Sequence, residues 1–310
     1  MDAPRRGASN YLRPSHAVLA LPRVGYDRLD FTSGVQRPLP ALLGEYQRTG
    51  DKWLTTSTYR RKASYRHTSD AAAPILDVLY DPRLPFRPTL RVRFRATMVH
   101  LLDLETIARA LQALRPYIAA PVLCELELTL DFPVRRAAEL RRLYVPRARA
   151  YETREQWRWW CVGSRTSAMS IRGYEKHEAE MSTARIEVTA RRAALKRLHV
   201  TGLGGLIEID WWSVLASRLR FVELDPGRCD AETYGRLTRE FAARGVNATL
   251  RSLPRAERER IKRRWQPARI GRDVRRLVRA FRPRVSDAVV NDSPRVGRPA
   301  GRLVYVDAIP

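Results

Sequence analysis

The sequence is poor in cysteine and histidine, with three cysteines and five histidines among its 310 residues. Cys124, Cys161 and Cys229 are odd in number and widely spaced, which fits neither a disulfide framework nor a paired-cysteine zinc site. Such cysteine usage is typical of a reducing compartment, so we expect a cytoplasmic protein.

Long apolar runs are also missing, since none approaches the roughly 20 residues that a membrane-spanning helix needs. The first residues contain arginines but no apolar stretch before a small-residue cleavage site, so we expect no secretory signal. No strongly amphipathic helix with an aromatic or leucine face accompanies the basic charge, which argues against a role at a membrane surface.

Acidic residues are scarce beside basic ones, with 33 against 58, a net charge of +25 and a pI near 11.1. A coding bias toward arginine would explain why few of these cations are lysine, but it would not explain their excess over the acids. An excess of this size attracts polyanions, so we expect nucleic acid as the partner.

The segment 163–192 reads as two short strands joined by a polar turn. In a strand, alternate side chains point to opposite faces. One face of this hairpin is therefore small or apolar, and the other gathers cations, a phenol and a carboxylate: Arg172, Tyr174, Lys176, Arg185 and Glu187. Such a face is suited to handling phosphate.

The segment 121–133 is the clearest strand in the chain, with leucines on one face and carboxylates on the other. Glu127 and Asp131 share that face but are about 13 Å apart along an ideal strand, whereas Glu125 and Glu127 are about 7 Å apart. Glu187 from a neighbouring strand would complete an oxygen cage. Carboxylates with open positions suit Mg²⁺ or Mn²⁺, which also bind substrate phosphate. Pairing of these acids with arginines across the sheet is the structural alternative.

The patterns together predict an α+β fold: a mainly antiparallel sheet with one polar, catalytic face and helices on the other, followed by a basic helical C-terminal segment. Strands are expected at 24–31, 90–98, 121–133, 157–162 and 220–224. Helices are expected at 103–117, 191–199, 231–244, 254–265 and 270–281, the first with Asp103 as its N-cap. Residues 34–80 and the glycine-rich 202–205 are expected to be irregular.

We expect the chain to divide into a flexible N-terminus (1–20), a catalytic domain (21–225), a basic helical segment (226–282) and a tail (283–310). The part after 225 carries about half of the net positive charge. Its helices, with Arg263 and Arg264, are interpreted as a DNA-binding module or as an arm that only supports the catalytic domain.

The segment 55–69 interleaves basic and aromatic residues. It is either a solvated loop or a DNA-contacting loop. In the second case Tyr59 and Tyr65 would stack on bases, while Arg60, Arg61 and Arg66 would pair with the backbone.

The ordered motifs resemble a known family. The run GSRTS, IRGYEKHE and RIEV, preceded by a strand containing Leu126, Glu127 and Asp131, is similar to the replication-initiation factors of rolling-circle plasmids and filamentous phages, and to related conjugative relaxases. The similarity covers roughly residues 90–192. No His-x-His pair is present, so the histidine-based relaxase chemistry is not expected.

The resemblance implies a site-specific, metal-dependent endonuclease that nicks one DNA strand at an origin. Tyr174 would be the nucleophile and form a 5′-phosphotyrosyl bond, assisted by Arg172 and Lys176. Glu127, Asp131 and Glu187 would hold the metal, and Arg165 and Arg185 would join the DNA-binding residues. A host helicase and a second copy of the chain are candidate partners. A conjugative relaxase and a non-catalytic DNA-binding replication-control protein are the alternatives.

Overall fold

The computed structural model describes residues 22–97, 101–133, 139–140, 142–145, 152–153, 156–164, 166–178, 181–216, 218–281 and 283. The predicted flexible N-terminus, Arg165 and nearly all of the predicted tail lie outside these residues. Within the described part of the chain, no helix is both long and apolar enough to cross a membrane.

Eleven strands of the described residues form one antiparallel sheet. The first six precede the first helix: β1 Arg23–Ser33, β2 Leu42–Leu43, β3 Tyr46–Trp53, β4 Tyr59–His67, β5 Ile75–Pro82 and β6 Leu90–Arg95. The other five follow it: β7 Val122–Pro133, β8 Glu152–Thr153, β9 Gln156–Val162, β10 Met169–Glu178 and β11 Met181–Arg191. A separate two-stranded sheet pairs β12, Val222–Leu224, with β13, Trp265–Pro267.

The strand order is β2-β3-β4-β5-β6-β1-β7-β11-β10-β9-β8. The first strand therefore lies at the centre, between β6 and β7, and the β10–β11 hairpin continues the sheet beyond β7. The predicted strands at 24–31, 121–133 and 157–162 and the predicted hairpin are confirmed. The strand predicted at 90–98 is observed as Leu90–Arg95.

Eight helices are described, most of them after the sheet: α1 Leu104–Leu114, α2 Arg192–Arg197, α3 Leu203–Ile207, α4 Trp211–Ala216, α5 Ala231–Arg244, α6 Val246–Ser252, α7 Arg255–Lys262 and α8 Arg269–Ala280. Asp103 caps α1 as predicted, because its carboxylate accepts hydrogen bonds from the backbone NH groups of Glu105 and Thr106. The α+β prediction is confirmed.

The sheet has two faces of different chemistry because its strands alternate. On β7, Leu126, Leu128 and Leu130 are fully buried against the helices, and the intervening side chains turn to the opposite face. We call that opposite surface the polar face. It consists of acids and bases from β1, β4, β5, β6, β7, β10 and β11.

Two predictions of irregular structure were wrong. Residues 34–80 contain β2 to β5, and residues 203–207 form α3. The interpretation of 55–69 as a stacking loop is also wrong for its tyrosines, since β4 places Tyr59 and Tyr65 in buried positions. The pattern was concealed because most side chains of β3 are exposed and give no alternation between apolar and polar residues.

The C-terminal helices divide between two hydrophobic clusters. Helices α5 to α7 contribute to a small cluster around Phe241, while Ile270, Val274 and Val278 of α8 join the main core. Phe281, just after α8, makes an edge-to-face contact with Tyr26 of β1, with ring centroids 5.5 Å apart. The basic helical segment predicted after 225 is thus tied to the sheet at its end.

Candidate active site

Three neighbouring strands bring the predicted catalytic residues together. Residues Tyr174 and Arg172 of β10 face Arg185 and Glu187 of β11, respectively. On its other side, β11 pairs with β7, and Glu187 is opposite Thr129. Glu127 is two residues before Thr129 and therefore lies on the same face of the sheet as Glu187. The hairpin and the carboxylate strand, which the sequence could not align, therefore share one region of the polar face.

The phenol of Tyr174 is directed at a carboxylate. Its hydroxyl donates a hydrogen bond of 2.6 Å to Oε2 of Glu187, and the guanidinium of Arg172 lies 5.6 Å from its ring centroid. Only 8% of Tyr174 is exposed. Burial, and after it the charge of Glu187, raises the pKa of Tyr174 well above its usual value, so the phenol is neutral and serves as a donor.

Arg172 bridges two acids. Its Nε donates to Oε1 of Glu187 at 2.7 Å, Nη2 contacts the same oxygen, and Nη2 lies 3.8 Å from Oε1 of Glu127. The side chain of Arg172 is 28% exposed, whereas that of Glu187 is 3% exposed, so Arg172 is the more accessible of the two partners.

Glu127 is a buried acid with a raised pKa. Arg28 lies 2.7 Å from its Oε1. Burial, and after it the nearby Glu187 carboxylate, nevertheless raises the pKa of Glu127 to about 7. Two buried carboxylates that repel each other in this way are relieved by a proton or by a cation. Arg172 lies between Glu127 and Glu187, so this pair would bind Mg²⁺ or Mn²⁺, with water and substrate phosphate as further ligands, only after Arg172 turns away.

Asp131 does not join that pair. Both of its oxygens accept hydrogen bonds from Arg185, at 2.6 and 2.7 Å, and Arg23 adds a third at 3.3 Å. In the part of the chain that the structure describes, no group of three or more carboxylates, histidines or cysteines is placed to hold a metal. The predicted cage of three carboxylates is thus not formed, because both oxygens of Asp131 bind Arg185 and are not available to a metal ion.

Of the other predicted residues, Arg185 and Lys176 share the hairpin of Tyr174, and the remaining described arginines lie on other parts of the chain. Arg185 is buried beside Asp131 and Asp27, whereas Lys176, 18% exposed at its side chain, lies 3.9 Å from Asp27. Arg60 and Arg61 are exposed on β4, several strands away from Tyr174. Arg263 and Arg264 follow α7, where Arg263 is exposed and Arg264 is half-buried.

A row of arginines on β6 extends the polar face and was not connected to the site by sequence reasoning. Arg91 and Arg93 both bind Asp30, which is fully buried, and Arg95 binds the buried Asp77. The acids form the floor and the guanidinium groups lie above them, nearer to solvent. The alternation in LRVRFR was the available signal, but the buried partners on β1 and β5 required the strand order.

No model of a known protein family matches the chain, and no curated protein matches it. The family resemblance of the motifs therefore stays a prediction, and the function is inferred from the geometry of the site.

Proposed function

We propose that the chain is a metal-dependent DNA nickase that starts rolling-circle replication by cutting one strand at an origin. The observation that carries the proposal is the 2.6 Å hydrogen bond from the Tyr174 hydroxyl to Glu187, on a face whose acids are buried below more exposed arginines. A nucleophile, a proton acceptor and cations for phosphate are the parts that such a reaction needs.

The proton acceptor is the first part of the mechanism. The raised pKa of Tyr174 keeps the phenol protonated at neutral pH, so attack requires transfer of its proton to a base. Glu187 already accepts the hydrogen bond through Oε2 and is the base. The phenol oxygen then forms a bond to the phosphorus of a phosphodiester, and the bond from phosphorus to the 3′ oxygen breaks. The products are a 5′-phosphotyrosyl bond and, once the leaving oxygen takes up a proton, a free 3′ hydroxyl.

Cations stabilise the negative charge that develops on the phosphoryl oxygens. Among the side chains that the structure describes, Arg172 has its guanidinium 5.6 Å from the Tyr174 ring and is 28% exposed, and Lys176 is on the same face of β10. Arg172 must turn away from Glu187 and Glu127 to bind a phosphate. Its movement would also uncover Tyr174, so binding of the phosphate and exposure of the nucleophile are linked.

Glu127 and Glu187 are the residues that would hold Mg²⁺ or Mn²⁺. When bound, the ion would polarise the phosphoryl group and favour the ionised phenol. Asp131 would support the site indirectly by fixing Arg185, which lies next to Tyr174 in the pairing of β10 with β11.

A second candidate is a non-catalytic DNA-binding protein that controls replication. The arginine partners of Glu187, Glu127 and Asp131 favour it, because each of these buried acids already has a cation beside it without any metal. The polar face would then contact DNA only through its arginines.

The test is an incubation of the protein with end-labelled single-stranded DNA and with supercoiled plasmid carrying the replicon's own origin, with Mg²⁺, with Mn²⁺ and with chelator. We expect a nicked circle and a covalent protein–DNA adduct in the presence of metal. Tyr174→Phe should abolish the adduct but retain DNA binding, whereas the control Tyr117→Phe, beyond the end of α1, should form it normally. An adduct formed by Tyr174→Phe would reject Tyr174 as the nucleophile, and no adduct from the unaltered protein would favour the second candidate.

A further inference from the structure

Two loops at one end of the sheet form a single projecting unit. The β3–β4 loop and the loop after β5 are joined through Arg83, whose Nε donates to the Ser57 carbonyl at 3.0 Å and whose Nη2 donates to the Leu54 carbonyl at 2.5 Å. The backbone NH of Arg83 also donates to Thr58 at 2.9 Å. We call residues 53–61 and 80–87 the aromatic tip. These bonds give it a fixed shape, unlike two independent loops.

The aromatic tip exposes large apolar side chains that the core does not use. Trp53 is 67% exposed and Phe86 is 74% exposed. The guanidinium of Arg61 lies 4.8 Å from the Trp53 ring and 5.6 Å from that of Tyr80, and the guanidinium of Arg87 lies 5.6 Å from the Phe86 ring. Each exposed ring thus has an arginine against it.

The charge of the surrounding chain selects the class of ligand. The aromatic tip contains four arginines and one acid, Asp81. An apolar protein partner would not need this excess of cations. Open aromatic rings flanked by guanidinium groups suit a strand of nucleic acid, because bases stack on the rings while arginines meet the phosphates.

We propose that the aromatic tip binds single-stranded DNA by stacking bases on Trp53 and Phe86. Unpaired bases are required because the faces of a paired base are already covered by its neighbours in the duplex. The proposal rests on the proposed function for the source of the single-stranded DNA, since nicking at a replication origin releases such a strand.

The tip is distinct from the Tyr174 region. In the sheet order, β3 and β10 are separated by six other strands, which corresponds to roughly 30 Å at ordinary strand spacing. The two regions therefore bind different parts of a strand. The tip would hold a segment remote from the scissile phosphate.

Titration of the full chain with oligo(dT) and with a duplex of the same length tests the proposal. Stacking quenches tryptophan fluorescence, and Trp53→Phe should remove most of that quenching. Trp53→Ala with Phe86→Ala should weaken oligo(dT) binding by about tenfold or more, because each stacked base contributes on this scale, and should affect the duplex much less. Leu42→Ala, another exposed apolar residue at this edge of the sheet, is the matched control. Thermal unfolding should show all variants folded.

Unchanged oligo(dT) affinity in the double variant would overturn the proposal, as would equal losses for the two DNA forms. The double variant could instead bind oligo(dT) normally but sediment differently from the unaltered protein in the absence of DNA. That result would identify the tip as a protein contact and would also overturn the proposal. Covalent adduct formation by Tyr174 is scored separately. Absence of the adduct with tip-dependent binding would reject only the nicking proposal, and an adduct with tip-independent binding would reject only this one.

Discussion

The Tyr174 hydroxyl donates a 2.6 Å hydrogen bond to one oxygen of Glu187, and Arg172 occupies the other oxygen of the same carboxylate. Glu187 therefore couples a nucleophile to a cation. Because the two contacts use different oxygens, Arg172 can leave to bind a phosphate without breaking the hydrogen bond of Tyr174.

The first prediction concerns Glu187→Gln. The amide neither accepts the phenol proton nor supplies a charged metal ligand, so the rate of adduct formation should fall by about 100-fold or more, at least the usual contribution of a general base. DNA affinity should be retained or should increase, since one negative charge is removed from the polar face. Single-turnover kinetics and equilibrium binding measure the two effects. Glu125→Gln is the matched control, because Glu125 is on the same face and binds Arg28 and Arg91 but has no described contact with Tyr174. Equal losses in the two variants would contradict the assignment of Glu187 as the base.

The second prediction concerns pH. Folding raises the pKa of Glu127 from 4.5 to about 7, so the folded state holds a proton that the unfolded state releases. The contribution of this group to stability is complete below pH 4.5 and is lost as the pH rises toward 7. Glu127→Gln resembles the protonated acid and does not titrate. In chelator, the free energy of unfolding of the variant minus that of the unaltered protein should therefore increase as the pH rises across this range, by up to a few kcal/mol. Denaturant unfolding at a series of pH values measures the difference. If the stabilities of the variant and the unaltered protein instead depended on pH in the same way, Arg28 and Arg172 would fully offset the cost of burying the charge of Glu127.

The sequence predicted the faces of the site but not their alignment. Strong alternation identified β7 and the β10–β11 hairpin, so the side of the sheet on which Glu127, Tyr174 and Glu187 lie could be predicted. Alternation does not determine the register between strands, and the register separates Asp131 from Glu187 and places it beside Arg185. A period of two also cannot show whether an acid binds a metal or an arginine.

The third prediction concerns Gly173, on the helical face of β10. A Cβ added there would lie 2.4 Å from Cε2 of Trp160 on β9, and Trp160 is fully buried and cannot easily move. Gly173→Ala should therefore destabilise the protein by about 1–3 kcal/mol, as overpacking commonly does. Gly50→Ala, on β3, is the control because its Cβ would meet nothing within 4 Å. Thermal unfolding of the pair gives the comparison, and equal stability would show that β9 shifts to make room.

The last prediction tests whether the arginines of β6 bind DNA. Arg95 binds Asp77, but its side chain remains 42% exposed. If it contacts a phosphate, Arg95→Gln should weaken binding to all sequences and reduce the salt dependence, the slope of log K against log salt, by about one unit. Lys62 and Ser64 also bind Asp77, so this acid keeps partners in the variant and the fold should be preserved. The control is Arg109→Gln on α1, which packs on the helical side of the sheet and is 62% exposed. An equal loss of slope in both variants would indicate that only the total charge matters. A loss confined to Arg95→Gln would place DNA on the face that carries Tyr174.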